Sequence, residues 1–214
     1  MTEQLWILLA VWLAYFVLHS ALASLTAKRW VADRYPHWMP AYRLFFNAVA
    51  MLGVLPPLSL MLYWRGEPLW QWEGIWFWVS WGITGAAAFG FAWSLRYYDG
   101  QEFLGTRQWR EGIRSVEDQE NMHISVLHRY VRHPWYFLGL LMVWSRDMDP
   151  AFLLSAIAIT AYFLFGSLLE ERKLMTYHGE AYREYRKRVP GLFPLPWRYL
   201  TEAQAAEILR RDAG

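Results

Sequence analysis

Apolar residues dominate four long stretches of this chain, residues 5–25, 44–63, 75–95 and 152–169, and a shorter one at 135–144. A helix rises about 1.5 Å per residue, so about 20 apolar residues cross a hydrocarbon layer about 30 Å thick. The four long stretches therefore predict membrane-spanning helices. Only His19, Ser20 and Ser24 interrupt the first, and no basic run precedes it, so it reads as a retained span and not a cleaved signal. Pro56-Pro57 predicts a kink in the second. Gly82, Gly85 and Gly90 in the third are small residues of the kind that let membrane helices approach closely. The 135–144 stretch is too short to cross alone. Asp149-Pro150, an N-cap residue followed by proline at the first helical position, predicts the start of the last span. The short loop between these two segments makes them a helical hairpin.

The polar positions order these spans. With the N-terminus outside and five crossings, 19 of the 21 Lys and Arg residues fall on the inner side, leaving Arg65 and Arg146 outside. Positive charge is retained on the cytoplasmic side of membrane proteins, so this skew predicts an outer N-terminus and a cytoplasmic C-terminus in the inner membrane. Residues 96–134 form a polar connector. Glu170-Glu171-Arg172-Lys173 closes the last apolar stretch, and an amphipathic run leads from there to Arg188 and stops at Val189-Pro190-Gly191. Thr201-Glu202-Ala203-Gln204 is a capping-box pattern opening a terminal helix. The expected fold is all-α: a polytopic integral membrane helical bundle with about five apolar segments, the last two a hairpin, and a cytosolic C-terminal helical lid.

Composition removes several chemistries. The chain has 214 residues, 56% hydrophobic and 19% aromatic, with 15 Trp and a net charge of +2. That charge is too small to argue for nucleic acid, and basic residues beside apolar segments favour a lipid bilayer as partner. There is no Cys, which removes disulfides, thiolate catalysis and Cys-ligated metals. His123, His128 and His133 recur at a spacing of five, which does not share a helix face as i, i+4 would, so no metal site is expected.

Two segments resemble a known family. Arg132-His133-Pro134-Trp135-Tyr136, with Gly139 following, resembles the Arg-His-Pro-x-Tyr signature of the isoprenylcysteine carboxyl methyltransferase and phospholipid methyltransferase superfamily. Leu169-Glu170-Glu171-Arg172-Lys173-Leu174, followed by His178-Gly179-Glu180-Ala181-Tyr182 and Val189-Pro190, resembles its second signature. The Gly-x-Gly pair of the phospholipid N-methyltransferases is absent, since Phe137 stands two residues before Gly139. The resemblance spans residues 100–197 and implies an S-adenosylmethionine pocket framed by both signatures. His133, Pro134, Tyr136, Gly139, Glu170 and Glu171 would then lie at the cofactor, and Arg132 and His133 at the reaction. It divides a single membrane methyltransferase-like domain, 1–214, into N-terminal spans (1–99), a cofactor-binding core (100–197) and a terminal helix (198–214). More weakly, His19-Ser20 and the segment Tyr42-Arg43-Leu44-Phe45-Phe46-Asn47 resemble the bacterial branch holding methanethiol S-methyltransferases and NnrU-type membrane proteins. This implies His19, Arg43 and Asn47, with Gln108 of the connector, as contacts of the methyl acceptor, a small thiol or a lipophilic molecule. A non-catalytic NnrU-like accessory protein keeping the same scaffold is the alternative.

The residue types suit that chemistry. A carboxylate pair such as Glu170 and Glu171 binds an ammonium or ribose hydroxyls by charge-assisted bonds. Arg132 is suited to bidentate capture of a carboxylate, and Tyr136 to stacking on adenine or lying against the sulfonium. An acidic pair at a helix C-terminus opposes the helix dipole, which argues for a retained role. His19, inside a span, serves equally as a bond to another helix; Arg43 and Asn47, one turn apart, serve equally to stabilise their own helix start. The charge skew makes one prediction: a reporter fused after Gly214 is active only if it works in the cytoplasm. Activity only of an exported reporter would reverse the topology.

Overall fold

A computed structural model describes residues 1–114, 116 and 122–212. Parts of the 96–134 connector and the fusion point at Gly214 therefore lie outside the described residues. The helices are α1 (Thr2–Ala23), α2 (Leu25–Arg34), α3 (Tyr42–Gly53), α4 (Leu55–Tyr63), α5 (Ile75–Ser94), α6 (Gly100–Leu104), α7 (Thr106–Glu111), α8 (Pro134–Trp144), α9 (Pro150–Arg188) and α10 (Glu202–Asp212). No strand occurs among the described residues, only the isolated bridges Trp70–Met148 and Leu195–Arg198. Four helical stretches are long and apolar enough to cross a membrane: Thr2–Ala23, Met39–Tyr63, Ile75–Tyr97 and Pro150–Arg188. Their surfaces expose Trp6, Val17, Met51, Leu52, Phe89, Leu164 and Phe165, an apolar surface that water would not tolerate but lipid requires. The chain is an all-helical, multi-pass membrane protein. It packs as two compact units, each assembled from separated stretches of sequence.

The first unit holds residues 1–71, 98–119 and 147–158. Ser24 ends α1 and caps α2, its Oγ accepting from the Ala27 N–H at 3.2 Å. The apolar pattern did not predict α2, because it is polar overall. The second span divides into α3 and α4 at Val54, just before Pro56-Pro57, whose missing N–H groups interrupt the helical ladder as expected. Buried Trp12 donates through Nε1 to the Ser155 hydroxyl at 2.9 Å, a polar tie inside an apolar setting. Asp149 caps α9 as expected, its Oδ1 accepting from Ala151 and Phe152 N–H groups at 2.9 and 3.0 Å. Gly105 links α6 to α7 at φ +89°, and a Cβ there would stand 2.8 Å from Arg43 Cβ and 2.9 Å from the Leu44 amide nitrogen. No other residue fits that approach.

Residues 72–97, 120–146 and 159–214 form the second unit. Here α5 and α8 run antiparallel: Trp135 Nε1 donates to Ser94 Oγ at 2.7 Å at one end, and the Thr84 and Ser145 hydroxyls bond at 2.7 Å at the other. Of the three α5 glycines, only Gly90 meets a neighbour, Leu138 at 3.4 Å. Gly82 and Gly85 have nothing within 4 Å, so they do not mediate the close approach their composition predicts. The 11 residues of α8 rise roughly 16 Å, too little to cross alone. It pairs with α9 as the expected hairpin, Trp144 Nε1 donating to Thr160 Oγ1 at 2.9 Å and Gly139 lying against Phe163.

The main departure from the sequence pattern is the length of α9. It does not stop near Leu169. It runs past Glu170-Glu171 and breaks only at Gly179, where φ is +48° and ψ −123°. The acidic pair is therefore mid-helix, and the dipole argument for it fails. Beyond Gly179 the resumed helix buries Tyr182, Tyr185 and Val189 with Ile124, Leu200, Ala205 and Ile208. The capping box opens α10 as expected, Thr201 N–H donating to Gln204 Oε1 at 2.9 Å and Gln204 N–H to Thr201 Oγ1 at 3.3 Å. His178 Nδ1, 2.9 Å from Asp212 Oδ1, ties the end of α10 beside the break. A Cβ at Gly179 meets no atom, so its cost is purely conformational. Gly179→Ala is expected to cost about 1–3 kcal/mol and lower the detergent melting temperature. Gly82→Ala, in open helical space, should melt at or above the parent.

Candidate functional site

The two signatures meet within the second unit. His133 occupies the N-cap position of α8 without a side-chain capping bond, and Pro134 takes the first helical position, where its missing N–H costs no bond and its fixed φ suits the helix. Antiparallel pairing of α8 with α9 brings the start of α8 beside Glu170 and Glu171. Consecutive residues on a helix point about 100° apart, and their side chains divide accordingly: Glu171 is 5% exposed, Glu170 47%. The imidazole of His133 bridges them, Nε2 3.2 Å from Glu171 Oε1 and Nδ1 3.4 Å from Glu170 Oε2.

Arg132 organises the buried half. Its Nε and Nη2 donate to Glu171 Oε1 at 2.9 and 2.5 Å, and its Nη1 donates to the carbonyls of Arg186, at 3.1 Å, and Val189. The Arg132 and His133 N–H groups donate to the Pro190 and Gly191 carbonyls at 2.9 and 3.1 Å. The carboxylate that Arg132 captures is thus the chain's own. With its side chain 10% exposed, Arg132 stands as the clamp joining the loop before α8, α9 and the segment after Gly179. Gly191 permits this approach, since a Cβ there would lie 3.3 Å from Arg132 Nη2. Breaking a buried pair of this kind by removing one partner costs about 3–5 kcal/mol.

Tyr136 is stacked against two rings of the chain itself. It is nearly parallel to His133, with centroids 5.3 Å apart at 11°, and to Phe163, at 4.7 Å and 14°. Centroid separations of this size at small angles are offset stacking. The Tyr136 hydroxyl donates to Glu170 Oε2 at 3.2 Å. Gly139 serves the same stack: a Cβ there would press on Phe163 Cε2 at 3.1 Å. Behind the site, His128 bonds Ser125 Oγ at 2.7 Å, and burial, with the neighbouring imidazoles of His123 and His133, lowers its pKa to about 4, so it stays neutral.

The other four sequence candidates lie in the first unit. Arg43 Nε and Asn47 Nδ2 both donate to the Phe103 carbonyl at 3.1 Å, and Asn47 also to Leu104 at 2.9 Å, so they hold the α6 end in place. His19 packs its ring 5.1 Å from Phe46 and 5.8 Å from Tyr15. Gln108 donates to the Glu102 carbonyl at 3.2 Å, while its buried Oε1 accepts no hydrogen bond among the described residues. The sequence reading missed Arg186, whose Nε lies 3.0 Å from Glu171 Oε2. In sequence it is one of a basic run ending at Arg188, and nothing in that run singles it out. No group of His, Asp and Glu among the described residues is arranged to hold a metal ion.

Fold and site together define a polytopic helical membrane protein with a His-bridged carboxylate pair where a hairpin's two ends meet. Comparison with known proteins specifies the family: the chain belongs with the methanethiol S-methyltransferases. It is 32% identical over 187 residues to methanethiol S-methyltransferase 2 of Bradyrhizobium diazoefficiens, covering 84% of this chain and 69% of that one. To the methanethiol S-methyltransferase of Mycobacterium tuberculosis it is 30% identical over 200 residues, covering 86% and 76%. To that of Pseudomonas deceptionensis it is 26% identical over 194 residues, covering 84% and 69%. No family profile matches the chain, and no solved structure matches it.

The bridging His133 makes the site pH-dependent. Burial opposes its charged form, but the hydrogen bonds and charges of Glu170 and Glu171 outweigh burial and raise its pKa above the ordinary 6.5. A group raised on folding stabilises fully below its unfolded pKa, and that contribution is lost as pH rises through the folded value. The melting temperature is expected to fall as pH rises through the neutral range above 6.5. His133→Gln should lack that fall; an unchanged pH profile in the variant would place the titration elsewhere.

Proposed function

We propose that this chain transfers a methyl group from S-adenosylmethionine to a small thiol, methanethiol being the first candidate, at the cytoplasmic face of the membrane. One observation carries the reading: the consecutive carboxylates of α9, one buried and one open, bridged by His133 in a chain of this family. The donor set fits the cofactor. Glu171 Oε2 is buried and accepts no hydrogen bond, and Glu170 Oε1 makes none among the described residues. Such oxygens are acceptors for an ammonium or for ribose hydroxyls.

When bound, S-adenosylmethionine supplies an electrophilic methyl on a sulfonium that departs as a neutral thioether. The chain's own residues act by holding and aligning. Glu170 and Glu171 take the polar end of the cofactor. Tyr136 and His133 fix the Glu170 carboxylate, and Arg132 fixes that of Glu171. The apolar hairpin of α8 and α9 excludes water. In-line displacement gains most from alignment and dryness, so no metal is required. The balance is simple: the thiol sulfur gains the methyl and loses its proton, and the products are a methyl thioether, the demethylated cofactor and one proton.

The test uses protein in lipid vesicles with methyl-labelled S-adenosylmethionine and methanethiol. Labelled dimethyl sulfide is expected in the headspace. Glu170→Ala should weaken cofactor binding roughly tenfold to hundredfold, the worth of a charge-assisted bond. Folded protein that neither binds cofactor nor forms product would overturn the enzyme reading in favour of an accessory membrane protein.

A further inference from the structure

Three basic side chains, Arg132, His133 and Arg186, meet the one carboxylate of Glu171, and His133 is shared with Glu170. Glu171 Oε1 is already met by Arg132 and His133, so the guanidinium of Arg186 is a second cation on a carboxylate that is already paired. Arg186 is also the more exposed of the two guanidinium groups: its side chain is 45% exposed, against 10% for Arg132. Its Nε stands 3.0 Å from Glu171 Oε2, yet that oxygen accepts no hydrogen bond, so the contact is an ion pair without hydrogen-bond alignment. Its other side-chain contact is weak, Nη1 to the Met175 sulfur at 3.5 Å. Arg186 can leave this contact without stripping Glu171 of its counter-charge, because Arg132 and His133 still hold Oε1.

The backbone of Arg186, by contrast, is fixed. Its carbonyl accepts from Arg132 Nη1 at 3.1 Å, and Val189, Pro190 and Gly191 are tied to the same loop. The return of the chain after Gly179 therefore delivers one half-exposed guanidinium to the second oxygen of the buried carboxylate. Carboxylate oxygens lacking a hydrogen bond call for a cation, and a surplus guanidinium calls for an anion. One ligand class satisfies both at once, an α-amino acid zwitterion.

We infer that Arg186 receives the α-carboxylate of the bound cofactor, leaving Glu171 Oε2 to the ligand's ammonium. The inference rests on S-adenosylmethionine being the cofactor. Without ligand Arg186 faces Glu171 Oε2; with ligand bound each exchanges that contact for the matching half of the amino-acid end, so neither group is left without a counter-charge. A guanidinium is suited to the task because its planar fork matches a carboxylate in a two-point bond.

Calorimetry in nanodiscs tests this with two probes, S-adenosylmethionine and its decarboxylated analogue, which keeps the ammonium and lacks the carboxylate. The parent protein is expected to bind the analogue roughly tenfold to hundredfold more weakly. Arg186→Ala should lose a similar factor for S-adenosylmethionine and almost nothing for the analogue, and Arg186→Lys should recover part of the loss. The backbone carbonyl that Arg132 uses is unaltered in both variants, so both should melt near the parent. Equal losses for the two probes would give Arg186 a merely structural role and overturn the inference. So would a parent that does not distinguish the probes, or an Arg186→Ala variant that binds the cofactor as the parent does. A folded parent that binds neither probe removes the cofactor reading itself, and this inference with it.

Discussion

The pairing of Arg132 with Glu171 is the constraint on which the second unit depends. An unpaired carboxylate at 5% exposure would be costly to ionise, and an unpaired guanidinium beside it equally so. Each side chain is tolerable inside only because of the other, and Arg132 uses its remaining donors on the carbonyls of Arg186 and Val189. Three stretches far apart in sequence are thereby held to one point: the loop entering α8, the middle of α9, and the turn after Arg188. Removing either charge alone would leave a buried group without compensation.

Rigidity and openness are divided between adjacent residues. Glu171 faces inward and is fixed by Arg132. Glu170, one position earlier and turned by the helix, is half-exposed and held by Tyr136 and His133. His133 spans the two, so its protonation senses both carboxylates. Tyr136 itself stacks on both His133 and Phe163, and Gly139 leaves the room that Phe163 occupies. A stack of three rings thus sets the position of one open carboxylate. Preorganisation of this kind would lower the cost of the cofactor binding proposed for Glu170, because a carboxylate already held in place loses little freedom.

The first unit uses its polar residues differently. Arg43 and Asn47 are committed to the Phe103 and Leu104 carbonyls, where the chain passes so close to α3 that only glycine fits at position 105. The same two residues that resemble a substrate-contacting segment are therefore the means by which α6 and α7 are attached. Attachment and contact with a ligand are not exclusive, but the geometry accounts for attachment first.

Local chemistry made much of this protein readable in advance. Apolar runs of about 20 residues can only be buried in lipid or in a large core, so the spans followed from composition. The Asp149 cap, the Thr201–Gln204 box and the break before Pro56-Pro57 followed from which residues satisfy or lack backbone N–H groups. The two signatures lie at the ends of one hairpin, so their meeting followed from connectivity. Tertiary structure decided what local rules do not reach. Glu170 and Glu171 look alike in sequence and differ only because α9 continues past them and turns one inward. Arg132 suits any carboxylate, and the fold supplies Glu171. Arg186 is indistinguishable in a run of basic residues until the chain turns at Gly179, because the partner that selects it lies 15 positions away on the far side of that turn.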